Sequence, residues 1–202
     1  MLIYIIKCSF VLSFFFFFVF VLNRDNRIDF GLLLKESIRI GIPIPAIISK
    51  DIGVFSVVGR RPYNEDFVSC HELTPELLYF AIFDGHGGDA CAKFVKENLP
   101  KTIIQLLSQE SNLELVLQQS FYDINSSFQK TFTENNDNNS LTIEKSSGTT
   151  ATVCLLKNGV DLVVAYVGDS RAFLCRDGNV KRLTDDHSAS IKAEHVSFLS
   201  FI

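Results

Sequence analysis

Residues 77–88 read Leu-Leu-Tyr-Phe-Ala-Ile-Phe-Asp-Gly-His-Gly-Gly, an apolar run stopped by a carboxylate, an imidazole and three glycines. The stretch from Leu77 to Phe83 has the composition of a buried strand, and Asp84 ends it. Gly85, Gly87 and Gly88 surround His86 and let backbone come close to whatever sits there. A carboxylate with free carbonyl groups at the mouth of a strand suits a hard metal ion, which takes oxygen ligands. His86 beside such an ion is a proton donor rather than a ligand. The other reading is a Gly-rich turn with a solvated Asp84 and His86. Taken alone, this run leaves both readings open.

Around it the hydrophobic period changes from segment to segment. Cys91, Val95, Leu99 and Ile103 recur every four residues and predict an amphipathic helix, kinked at Pro100. Ser111-x-x-Glu114 has the spacing of a capping box. The helix it opens carries Leu113, Leu117, Phe121, Ile124, Phe128 and Phe132 as a stripe, which reads as core. A polar, Asn-rich loop over 134–147 leads to short strands at 149–155, 161–167, 172–175 and 180–183. Asn158-Gly159 and Asp177-Gly178 lie between them as hairpin turns. Another strand is expected over 54–58, after a connector at 23–53 whose Gly41-Ile42-Pro43-Ile44-Pro45 favours extended backbone. Antiparallel strands around a helix pair predict the α+β class.

Three further blocks carry polar chemistry. Gly59-Arg60-Arg61-Pro62-Tyr63-Asn64-Glu65-Asp66 lies upstream; Ser147-Gly148-Thr149-Thr150-Ala151-Thr152 and Val167-Gly168-Asp169-Ser170-Arg171 lie downstream. In this order the four blocks resemble the metal-dependent protein serine/threonine phosphatases of type 2C, the PPM family. That family's pattern runs Arg-x-x-x-Glu-Asp, Asp-Gly-His-Gly-Gly, Ser-Gly-(Thr/Ser)-Thr-Ala and Gly-Asp-Ser-Arg. Four ordered blocks across residues 59–171 are far more specific than any one of them.

The resemblance implies a central antiparallel β-sandwich flanked by helices, acting on phosphoserine and phosphothreonine proteins with two Mn2+ or Mg2+ ions. It implies that Asp84 bridges the ions, that the Gly85 carbonyl and the Glu65 carboxylate complete one of them, and that Asp169 binds a third, weaker ion. Asp66 would hydrogen-bond to the ligands. Arg61 would grip the phosphate with its fork of donors, and His86 would protonate the leaving oxygen. Plainer readings stand beside these. Glu65 and Asp66 also fit a solvated strand end, Asp169 also fits the cap of a tight turn, and Arg60 reads as surface charge. His71 and His195 have no motif around them and read as surface residues. Asp185, Asp186 and His187 look metal-like in isolation, yet the family has a similar Asp-His pair without a metal role.

The remaining composition narrows the setting. With 19 Lys+Arg against 23 Asp+Glu there is no basic stripe for nucleic acid. Cys8, Cys70, Cys91, Cys154 and Cys175 are widely spaced and odd in number, with no zinc spacing. They read as reduced core thiols in a reducing compartment. Residues 1–22 are almost wholly apolar, broken by Lys7 and including a phenylalanine run from Phe14 to Phe18. At about 20 residues the segment predicts a transmembrane helix, with Arg24 and Arg27 keeping the body cytosolic. The alternatives are a signal-like core, though no small-residue cleavage site follows, and a stretch foreign to the mature protein.

Two more family aspartates are expected late in the chain, in an Asp-Gly and an Asp-Asn block. The only later Asp-Gly is Asp177-Gly178, inside an expected hairpin, and no Asp-Asn follows Asp169. The expectation is therefore a partial phosphatase domain over 54–202 with its metal site half built. The rival function is an inactive fragment that binds phosphoprotein or a partner. Within the family the likeness is to the branch acting on the mitochondrial branched-chain 2-oxoacid dehydrogenase complex. It is carried by Asp25-Asn26-Arg27-Ile28-Asp29, Gly41-x-Pro43-Ile44-Pro45, Leu77-x-Tyr79-Phe80-Ala81, Asn112-Leu113-Glu114 and Leu162-Val163-Val164-Ala165. It implies the mitochondrial matrix, although residues 1–22 do not resemble a basic transit peptide.

Overall fold

The computed structural model describes residues 4–9, 16–17, 52–54, 56, 62–134, 147–176 and 179–187. In chain order, β1 (Tyr4–Ser9) and β2 (Phe16–Phe17) precede β3 (Asp66–Thr74) and β4 (Leu77–His86). Helices α1 (Ala90–Leu107) and α2 (Leu113–Glu134) follow. Then come β5 (Gly148–Thr149), β6 (Ala151–Lys157), β7 (Asp161–Val167), β8 (Phe173–Arg176) and β9 (Asn179–Arg182). The main sheet has the order β1-β7-β6-β4-β3, with β5 added to the end of β4, and all its pairings are antiparallel. A second sheet runs β2-β8-β9.

Alternation along the strands explains how both faces of the main sheet are covered. Leu77, Tyr79, Ala81 and Phe83 of β4 face the helices, where they meet Cys91, Ala92, Val95, Leu99 and Ile103 of α1 and Val116, Leu117, Phe121 and Ile124 of α2. Phe80 faces the other way and packs with Cys154, Leu156, Leu162, Val164 and Tyr166 against Ala172, Leu174 and Leu183. The fold is therefore α+β, an antiparallel sandwich with helices on its outer face. Each such large side chain buried from water contributes about 1.5–3 kcal/mol, and β4, β6 and β7 are all buried on both faces.

The helix stripes form as the spacing predicts as far as Ile103 and Phe128, and α1 runs unbroken through a buried Pro100. The hairpin at Asn158-Gly159 forms with both residues at positive φ, 54° and 68°. The cap of α2 differs by one residue. Asn112 Oδ1, not Ser111, accepts the Glu114 N–H at 2.9 Å, because an amide oxygen reaches the same open backbone donor. The strand expected over 149–155 is split at Thr150, whose N–H still reaches β4 through the Asp84 carbonyl at 2.9 Å. β4 runs past Asp84 to His86, since β5 extends its ladder through Gly85↔Thr149 and His86↔Gly148. Val54 and Ser56 are not in a strand. Cys70, Cys91, Cys154 and Cys175 are free thiols, and burial pushes Cys91 up to about 11 and Cys154 well above its ordinary value.

The transmembrane helix expected at residues 1–22 is corrected. Tyr4–Ser9 is a strand paired residue by residue with β7, from Tyr4↔Tyr166 to Ser9↔Asp161, and Phe16–Phe17 pairs with β8. Among the described residues no helix is long and apolar enough to cross a membrane. Hydropathy does not distinguish a spanning helix from a β-prone segment, and Tyr4, Ile5 and Ile6 are strand formers. The open edge of β7 supplies partners for their backbone groups. Arg61, Asp177, Gly178, His195 and nearly all of the 23–53 connector lie outside the described residues.

Candidate functional site

The antiparallel order brings the start of β3, the end of β4, the start of β6 and the end of β7 to one end of the main sheet. Asp66 and Asp84 stand directly opposite in register, so their exposed carboxylates share a face. Like charges set opposite each other in a ladder repel, and a cation between them removes that cost. Glu65 precedes β3, and its Oε1 accepts the Gly88 N–H at 2.7 Å. Gly87 and Gly88, at φ 67° and 116°, turn the chain from β4 into α1 and aim that N–H back at Glu65. Gly85 is buried against the same segment. A Cβ there would fall inside contact distance of the Glu65 carbonyl oxygen and 3.2 Å from Ala92 Cβ.

Thr150 joins this end of β4 to the next motif. Its Oγ1 accepts the Asp84 N–H at 3.1 Å, and its own N–H donates to the Asp84 carbonyl at 2.9 Å. The same hydroxyl lies 2.6 Å from Ser170 Oγ, and Thr152 Oγ1 donates to the Ser170 carbonyl at 2.8 Å. His86 is exposed at the last position of β4, opposite Gly148. A Cβ on Gly148 would overlap His86 Nε2, so the glycine leaves room for the ring.

Asp169 is exposed in the turn after β7, and that turn is braced from behind. His187 N–H donates to the Gly168 carbonyl at 3.0 Å, and Gly168 N–H donates to His187 Nδ1 at 3.3 Å. The His187 ring lies 5.3 Å from that of Tyr166. Arg171 holds Asp186 through two hydrogen bonds of 2.9 and 2.6 Å, and Arg182 reaches the same carboxylate. The hydrogen bond from Arg171 is the main cause that holds the Asp186 carboxyl below the usual range. The same bond raises Arg171. Asp186 and His187 are thus occupied in bracing the turn.

Of the residues expected from sequence, Glu65, Asp66, Asp84, Gly85 and His86 gather at one sheet end, and Asp169 is tethered to them through Ser170 and Thr150. Arg61 lies outside the described residues. His71 is exposed, with its ring 6.0 Å from that of Tyr79. Among the described residues no three side chains of His, Cys, Asp or Glu converge as a ready cage for a metal ion. The donors present are hard oxygens, which suits Mg2+ or Mn2+ chemistry and not a thiolate site. Sequence reasoning gave no role to Gly148, Thr150 or Ser170. Their signal was the cluster of small and hydroxyl residues within the two later blocks.

The family description "Protein phosphatase 2C" matches residues 60–196. The chain is 44% identical over 170 residues to protein phosphatase 1K, mitochondrial, of Xenopus laevis, an alignment covering 84% of this chain and 44% of that protein. It is 35% identical over 151 residues to protein phosphatase 1L of Bos taurus, covering 69% and 39% respectively. The chain therefore spans less than half the length of these relatives. Its fold superposes on serine/threonine phosphatase Stp1 from Staphylococcus aureus with a TM-score of 0.53 at 24% identity, covering 73% of this chain and 56% of that one.

Proposed function

The chain belongs to the protein phosphatase 2C family, and from that premise we propose that its sheet end is part of a metal-dependent site that hydrolyses phosphoserine and phosphothreonine. Members of this family depend on metal, and a bound Mn2+ or Mg2+ ion supplies positive charge to phosphate oxygens and an activated water. Asp84 and the Gly85 carbonyl, with Glu65 beside them, would hold such ions; Asp66 would hydrogen-bond to the ligands and Asp169 would hold a further ion. His86 stands exposed at the rim, where it can pass a proton to the departing serine or threonine oxygen. Arg61 would clamp the phosphate with paired N–H donors. The observation that carries this reading is the register pair Asp66↔Asp84 at the point where the motif segments meet.

The finer reading is a mitochondrial phosphoprotein substrate, with a 2-oxoacid dehydrogenase complex as the target. Its support is the 44% identity to a mitochondrial phosphatase and the motif likeness upstream of residue 60. A second reading, a non-catalytic module that binds phosphoprotein, is favoured by the lack of three converging ligands among the described residues. On that same ground the 202-residue chain by itself should turn over little substrate, because two ions need more carboxylates than these.

The test is phosphate release from a phosphothreonine peptide, with Mn2+ and with excess EDTA, by this chain and by a version extended to the length of its relatives. EDTA-sensitive turnover in the extended version supports the phosphatase. Peptide binding without turnover in either version supports the module. In the active version His86→Ala should slow a phosphoserine peptide about 10²–10⁴-fold, and an aryl phosphate far less, since phenolate leaves without a proton.

A further inference from the structure

The β4–β6 ladder ends at Ile82↔Thr152 and the β6–β7 ladder at Ala151↔Val167. Asp84 lies between that last β4–β6 pair and the β4–β5 pair Gly85↔Thr149, and Asp169 lies beyond Val167, so no ladder pair joins one to the other. Thr150 sits in the gap, outside both β5 and β6. Its hydroxyl accepts from Asp84 N–H and meets Ser170 Oγ, and its backbone N–H closes on the Asp84 carbonyl. Its methyl packs on Gly168, whose φ is 101°, so closely that a Cβ on that glycine would lie 2.6 Å from Thr150 Cγ2. A hydroxyl has one proton and two acceptor sites, enough to serve Asp84 and Ser170 together. Serine could supply the hydroxyl without the methyl, and valine the shape without the hydroxyl.

We propose that Thr150 is a positioning residue whose hydroxyl locks the Asp84 strand end to the Asp169 turn, so that the two carboxylates are set as one unit. What the carboxylates hold rests on the phosphatase reading above, whereas the coupling itself does not. Ser170 is the other half of the lock, because it carries the bond from Thr150 into the turn. His187 reports on the far side of that turn through its N–H to the Gly168 carbonyl, 3.0 Å.

The experiment is residue-resolved amide exchange on the whole metal-free chain, comparing the native protein with Thr150→Val, Thr150→Ser and Ser170→Ala. Removing the hydroxyl removes an acceptor for Asp84 N–H, so Thr150→Val should speed exchange at Asp84 about tenfold or more. The His187 amide should quicken with it, while Val164 in the middle of β7 stays unchanged. Ser170→Ala should speed Asp84 in the same direction, and Thr150→Ser should restore slow exchange at both amides. Faster exchange at Asp84 with His187 unmoved, no change at either, or no rescue by serine would overturn the coupling. A second readout is Mn2+ uptake followed by electron paramagnetic resonance, in which Thr150→Val should need several-fold more Mn2+ for half-saturation. If the native chain takes up no Mn2+, the metal-dependent reading of the site falls, and the exchange data still decide the coupling.

Discussion

Asp66 and Asp84 face each other across β3 and β4, two carboxylates in register on one face of the sheet. Without a cation this arrangement works against the fold. Replacing one charge by Asp66→Asn should stabilise the metal-free chain by about 0.2–1 kcal/mol, the usual cost of opposed like charges. The gain should vanish in saturating Mn2+. Urea denaturation with and without the ion checks this, and a destabilised metal-free variant would show that the carboxylates do not repel.

Gly85→Ala should be costly, because the new methyl meets the Glu65 carbonyl oxygen and the backbone has to shift. Overpacking of this kind costs about 1–3 kcal/mol. The denaturation midpoint should fall accordingly, with the slope unchanged.

Gly148→Ala should behave differently, since the obstacle there is the end of the His86 ring, which can swing away. Melting should change little, while the ring resonances of His86 move. In a catalytically competent version, turnover of a phosphoserine peptide should fall toward the level of His86→Ala. Unchanged His86 resonances would show that the ring does not depend on the room left by Gly148.

The Arg171–Asp186–Arg182 brace gives a pH signature. Asp186 is held below its ordinary range, first by the hydrogen bond from Arg171. A carboxyl depressed in the folded state adds stability that is present above its unfolded pKa and is lost as pH falls through the folded one. Acid unfolding of the native chain should therefore carry a component below the usual aspartate range that Asp186→Asn removes. The groups are exposed, so the component should be small and should shrink in high salt. Identical acid limbs for the two proteins would remove the brace from the account.

Much of this was legible in the chain. The every-fourth-residue stripe through Cys91, Val95, Leu99 and Ile103 gave α1 because a helix buries one face. The Asn158-Gly159 pair gave the β6–β7 hairpin because few other residues take positive φ twice. What sequence missed depends on partners distant in the chain. Thr150 looks like one more strand threonine until Asp84, sixty-six residues away, claims its hydroxyl. Tyr4–Ser9 reads as membrane helix from hydropathy alone, and only the open edge of β7 makes it a strand. The convergence of the blocks was likewise carried by the resemblance, since register, not composition, sets Asp66 against Asp84.

Whether Asp84, near the end of β4, anchors a divalent ion decides the proposed function. Mn2+ uptake by the 202-residue chain, followed by electron paramagnetic resonance in the native protein and in Asp84→Ala, tests it most directly. Weak, EDTA-reversible uptake by the native chain is expected, lost in Asp84→Ala with no fall in melting temperature. Equal uptake by both proteins would contradict it.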